Sequence, residues 1–262
     1  MIRYLRLWGH FFLNSLSREL EYKSHFITMI IVDVVWYSTQ IALFEIIFLH
    51  THTIGGFTKP EMTVFLGIFF LSDSINEFLF AKNFWTMSEN VTKGDLDFYL
   101  IKPVSTTFMV LFRYVYISAL FNIIGCCILI GWGISMLPTF PTSIDIGKFL
   151  LVFIAGNSIL LSLQILLSGV IVTSIAGESI VNSFYSTFQI AGKPDTIFSY
   201  LLRKFFFYVF PMTLIASLPT KALLSQVGVI ELVSALAIAT IYFIGSSKFF
   251  MYSLRKYSGA SA

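Results

Sequence analysis

Residues Glu89 to Ser105 read ENVTKGDLDFYLIKPVS. This is the longest polar interruption in an otherwise apolar chain. It carries Glu89, Asp95, Asp97, Lys93 and Lys102 together with Gly94 and Pro103, and it separates two long hydrophobic runs. Such a stretch reads as a loop in water between two membrane spans. The composition agrees: of 262 residues, 56% are hydrophobic and 12% charged, against roughly 45–50% and roughly 25% in soluble domains. Mean hydropathy is +0.83. Several runs reach the roughly 20 apolar residues that a helix needs to cross the bilayer core, whereas the alternating segments of about 10 residues that build a barrel are absent. The expected fold is an all-α membrane protein forming one transmembrane domain over residues 1–262.

Outward from the loop, residues 62–81 before it and 107–137 after it are expected as the second and third of six spans. The others are placed at 26–49, 146–175, 200–218 and 229–252, and residues 82–106 form the loop itself. Pro138 and Pro141 end the third span by removing donors and clashing with the preceding turn, and Gly55, Gly56 and Pro60 mark the turn between the first two. Residues 1–24 mix Leu5, Trp8, Phe11, Phe12 and Leu16 with Arg3, Arg6, Arg18 and Lys23 at helical spacing. That pattern suits an amphipathic helix in the interface. Residues 177–199 are amphipathic and polar for a span, and are expected at the membrane surface. The alternative is that 178–191 crosses and 200–218 is re-entrant, its broken backbone then needing protein around it.

Under the six-span arrangement one side holds Arg3, Arg6, Arg18, Lys23, Lys82, Lys93, Lys102, Arg113, Lys193, Arg203, Lys204, Lys248, Arg255 and Lys256. The other holds Lys59, Lys148 and Lys221. Fourteen against three places both termini, and the opening stretch, in the cytoplasm of a multi-pass cell (inner) membrane protein.

Catalytic signatures are missing. There is no phosphate-binding G-x-x-x-x-G-K-[ST] loop, no H-E-x-x-H and no G-x-S-x-G, so the chain is not expected to be an enzyme or to hold a cofactor. His50 and His52 read as loop histidines, and the adjacent Cys126 and Cys127 offer neither a disulfide frame nor a spaced metal site. The net charge of +3 gives no nucleic-acid reading. Ionisable residues inside spans are the stronger signal, because an acid at the bilayer centre costs about 2.5–3.5 kcal/mol on insertion scales. Asp73 and Glu77 share one face of the second span at i and i+4, Asn76 flanks them, and Asp33 lies in the first span; together they form a candidate polar seam.

The layout resembles the transmembrane subunit of an ABC transporter of the type-2 exporter class. The stretch Gly94-Asp95-Leu96-Asp97-Phe98-Tyr99-Leu100-Ile101-Lys102-Pro103 is similar to that family's G-x-L-D-x-x-L-x-[KR]-P, and Phe210-Pro211, Leu218-Pro219 and a basic tail from Leu254 to Gly259 add to the likeness. The resemblance implies a permease that pairs with a second permease, the same or a related chain, among membrane lipids. Separate ABC ATPase subunits would hold the ATP-Mg. It also implies that Gly94, Asp95, Leu96, Asp97, Tyr99, Leu100 and Lys102 lie on a cytoplasmic coupling helix docked into the ATPase. Thr92 or Asp95 is expected to cap that helix, and Leu96, Tyr99 and Leu100 to share an apolar face. The implied function is ATP-driven outward movement of an amphipathic or lipidic compound. Export of a lipid-linked glycan and a non-transporting scaffold are the alternatives.

Overall fold

A computed structural model describes residues 2–174 and 176–257. Ile175, the expected end of the fourth span, and Ser258 and Gly259 of the basic tail lie outside the described residues. The chain builds α1 (Ile2–Glu21), α2 (Lys23–Phe48), a long third helix α3 (Lys59–Thr92), the short α4 (Asp95–Leu100), α5 (Thr106–Phe112) and α6 (Ala119–Ser135). It continues through α7 (Ser143–Val172), α8 (Gly177–Phe188), α9 (Tyr200–Tyr208), α10 (Ser217–Leu223) and α11 (Val229–Lys256). Helices α2, α3, α7 and α11 are long and apolar enough to cross a membrane, and α6 is a shorter apolar helix.

The third helix is the axis of the bundle. Val64, Phe65, Leu66, Ile68, Phe69 and Phe70 are all buried, so over this stretch the helix is apolar around its circumference, as a helix surrounded by others must be. Glycines let its neighbours close in. A Cβ on Gly133 of α6 would lie 2.9 Å from the backbone nitrogen of Val64, and one on Gly67 would lie 3.2 Å from that of Ile130. Gly133 thus closes on a neighbour inside the chain, while Gly125 and Gly131 of the same helix face open space.

At its entry α3 follows a tight turn. Gly55 and Gly56 both have positive φ, 58° and 82°, the geometry that favours glycine, and Ile54 and Phe57 exchange backbone hydrogen bonds across them. This loop marks one end of the bundle, and Gly94, with φ 78°, marks the other.

One expectation changes. The third segment, expected unbroken over 107–137, is two helices separated by Arg113–Ser118. Residues 177–199 pack along the bundle. Gly177 sits against Ser88, the Phe184 ring meets Phe84 and Phe188 meets Phe69, Gly192 packs on Phe69, and Thr196 donates from its hydroxyl to the Gly55 carbonyl. The segment therefore runs alongside α3 from near its Gly94 end to the Gly55 loop. At about 1.5 Å per residue, with a tighter final turn over Gln189–Gly192, this covers roughly 26 Å.

The segment 200–218 is not one helix. Its two arms, Tyr200–Tyr208 and Met212–Leu223, meet at 75°, at the break Pro211 requires. Its depth is fixed by three contacts. The Tyr242 hydroxyl donates to the Val209 carbonyl, Ser72 donates to the Ile215 carbonyl, and Gly156 lies so near Leu214 that a Cβ would be 2.2 Å from its carbonyl oxygen. Tyr242, Ser72 and Gly156 each lie well inside their helices, roughly 20 Å from the Gly55 end. Lys148 of α7 meanwhile donates to the Val227 carbonyl near that end. The hairpin thus dips into the bundle and returns to the end it left.

Candidate functional site

The short helix α4 starts at Gly94, whose left-handed backbone reverses the chain after Thr92. Neither Thr92 nor Asp95 caps it: the Thr92 hydroxyl donates to the Ser88 carbonyl, and the capping position is Gly94 itself. The expected single apolar face is split. Leu96 and Tyr99 are buried within the chain, whereas Leu100 is exposed with Phe98 and Ile101, the last two at 60% and 77%. The Arg113 guanidinium stacks 4.8 Å from the Tyr99 ring, locking α4 to the end of α5. Asp95 and Gly94 are half-buried and Asp97 and Lys102 exposed, leaving a surface of Phe98, Leu100, Ile101 and Lys102.

Beside α5 lies α1, contacting it at both ends. Arg3 donates to the Pro103 carbonyl at 2.8 Å, the Tyr4 hydroxyl accepts from the Ser105 N–H at 3.3 Å, and the Tyr4 ring packs edge-on against Phe108. At the far end, Ser15 and Glu19 are buried against the break between α5 and α6.

That break exposes five consecutive N–H groups to an apolar setting, where each would cost about 1–3 kcal/mol unpaired. All five are satisfied from elsewhere. The Tyr114 N–H donates to Asn83 Oδ1 at 2.8 Å, Val115 to Ser15 Oγ at 3.2 Å, Tyr116 to the Phe78 carbonyl at 3.0 Å, and Ile117 and Ser118 to the two oxygens of Glu19 at 2.9 and 3.1 Å. The Phe78 carbonyl is available because α3 widens into a π turn over Glu77–Ala81, which displaces carbonyls from the regular ladder. Asn83 also donates to the Tyr114 carbonyl at 2.7 Å. Burial pushes the Glu19 carboxyl above the usual carboxylate range, opposed by its two N–H donors and by Arg18.

The four residues of the expected polar seam are not one hydrogen-bonded set. Asp33 accepts from Asn122 of α6 at 2.7 Å, while Asn76 accepts from Gln164 of α7 at 2.7 Å. Asp73 and Glu77 are half-buried on the intervening face, beside Ser74, which bonds to Tyr37 at 3.1 Å. Glu77 Oε2, Asn76 Nδ2, Gln164 Oε1 and the Tyr185 hydroxyl are buried with no hydrogen-bond partner among the described residues.

One surface was missed in the sequence. Along α8 and its final turn, Val181, Phe184 and Phe188 face the core, and Glu178, Ser179, Asn182, Ser183, Ser186 and Gln189 are all exposed. They fall at spacings of one, three and four, and form one outward polar face. In the sequence this face shows only as amphipathicity.

A family model for the ABC-2 family transporter protein matches residues 34–261. No curated protein and no solved structure gave a match. The match takes in nearly every element described above, α4, the re-entering hairpin and the outward face of α8 among them. The chain belongs to the ABC-2 transporter family and is the multi-pass, membrane-embedded permease component of an ABC transporter.

Proposed function

We propose that the chain, paired with a second permease of the same or a related sequence and with ABC ATPase subunits holding ATP-Mg, moves an amphipathic compound outward across the cell membrane. The crossing segments are α2, α3, the α5–α6 pair, α7, α8 with its last turn, and α11. The α9–α10 hairpin is re-entrant from the outer side, and the proposed span at 200–218 gives way to 177–192. Lys193, Arg203 and Lys204 then join the outer set with Lys59, Lys148 and Lys221. Eleven basic residues still lie on the α1 side against six, which supports cytoplasmic termini.

The outward face of α8 carries the reading. Six polar side chains on one face of a crossing helix would be costly against lipid; facing a water-filled path completed by a second permease, they remain hydrated. Five are uncharged hydrogen-bonding groups, which suits a cargo with hydroxyl or amide functions and favours a lipid-linked glycan as the second reading. On the cytoplasmic side, Phe98, Leu100 and Ile101 present an apolar knob for an ATPase groove, held by Leu96, Tyr99 and Arg113. Motion of α4 would pass through Arg113 to the break at 113–118, which α1 and the π turn of α3 hold in place.

Purifying the tagged full chain from its own membranes tests this. A co-purifying ATPase whose hydrolysis rises with an amphiphile in reconstituted vesicles supports the proposal. A complex without ATP hydrolysis, or with hydrolysis indifferent to lipids and glycolipids alike, contradicts it.

A further inference from the structure

Between the re-entrant hairpin and α11 lies a cavity of about 320 Å³, reached by Arg203 and Lys204 of α9, Lys221 of α10 and Glu231 of α11. Its charges do not cancel. Asp195, buried at its base, takes Arg203 Nε at 2.7 Å and Lys221 Nζ at 2.6 Å, so its carboxylate is spent on two cations. Glu231 accepts the Gly228 N–H at 3.0 Å at the start of α11 and keeps its charge, so three cations face two carboxylates and one positive charge is left over. Lys204 makes no ion pair among the described residues; its ammonium lies 4.4 Å from the centre of the Tyr200 ring. The terminal nitrogens of Arg203 are not used by Asp195, which bonds only Nε.

A lysine one turn into a helix that descends from the outer surface lies near headgroup depth. A cation there draws its counter-charge from the bilayer. Phe207 and Tyr208 line the same cavity, giving apolar walls below the charge, as an acyl-bearing ligand requires. We propose that this cavity binds the anionic phosphate headgroup of an outer-leaflet amphiphile, with Lys204 and the free edge of Arg203 on the phosphate and the chains along Phe207 and Tyr208. The site rests on the placement of the hairpin in the outer leaflet, part of the function proposed above, and requires neither nucleotide nor transport.

Native mass spectrometry of the purified full chain tests it, with phosphatidylglycerol as ligand, diacylglycerol as the phosphate-free control and glycerol phosphate as the tail-free control. The expected result is selective retention of phosphatidylglycerol. Lys204→Gln should weaken it about five- to tenfold, the effect of about one basic residue at a charged surface, and Lys204→Arg should retain it. Lys204 bonds to no acid, so its loss leaves the Asp195 pairs intact and the fold in place. Equal retention of diacylglycerol, unchanged binding in Lys204→Gln, or glycerol phosphate bound as tightly as the lipid would each overturn the assignment. Because the readout uses no ATP, failure here leaves the transport reading standing, and failure of transport leaves a lipid-binding result intact.

Discussion

The carboxylate of Glu19 accepts the Ile117 N–H at 2.9 Å with one oxygen and the Ser118 N–H at 3.1 Å with the other. A side chain of the peripheral helix α1 thus completes the start of α6, nearly 100 residues away in sequence. Removing it leaves two buried donors without partners. Glu19→Ala should destabilise the chain by about 2–4 kcal/mol and Glu19→Gln, which keeps one acceptor, by roughly half as much. Thermal unfolding of the purified variants measures both.

The same residue gives a pH dependence. Because burial holds the folded carboxyl above its ordinary value of 4.5, the folded state binds more protons than the unfolded state in the window above that value. Stability contributed by Glu19 is therefore full below 4.5 and declines as pH rises through the raised value. The melting temperature should fall across this window in the native chain, and the Glu19 part of that slope should vanish in Glu19→Gln.

The split face of α4 predicts which residues report on the ATPase. Phe98→Asp with Ile101→Asp should reduce co-purification of the ATPase at least about tenfold while leaving the melting temperature of the permease nearly unchanged. Leu96→Asp buries a charge inside the permease and should lower its own stability, so a loss of coupling in that variant would say nothing about docking.

Two glycines of α7 provide a matched pair. A Cβ at Gly156 would lie 2.2 Å from the Leu214 carbonyl oxygen, whereas one at Gly147 meets nothing within 4 Å. Gly156→Ala should unseat the hairpin and cost about 1–3 kcal/mol; Gly147→Ala should be neutral or stabilise by about 0.5–1 kcal/mol. Limited proteolysis within 200–218 and thermal unfolding distinguish them.

Composition and run length carry the all-helical membrane character, and Gly94 with the residues after it carries α4. The break at Arg113–Ser118 was hidden because RYVYIS is apolar enough to continue a helix, and what stabilises it otherwise comes from Ser15, Glu19, Phe78 and Asn83. Asp33 and Asn76 looked like partners of one seam because a sequence lists polar residues without saying which neighbour each faces. Hydropathy favours 200–218 over 177–192 despite Pro211, and the polar side chains of α8 count against a span; that Phe184 and Phe188 pack on Phe84 and Phe69 of α3 is legible only in the fold.

The proposed function stands on α8 crossing the membrane with its polar face on a water-filled path whose access changes with ATP. The direct measurement is the reaction of a membrane-impermeant thiol reagent with Asn182→Cys and Ser186→Cys, in a background lacking Cys126 and Cys127. The purified complex is compared without nucleotide and with a non-hydrolysable ATP analogue. Labelling is expected at both positions in one state and strong protection in the other, with Ile128→Cys, at an exposed apolar position on α6, unreactive throughout. Cysteines at 182 and 186 that stay as unreactive as the control in both states would contradict it.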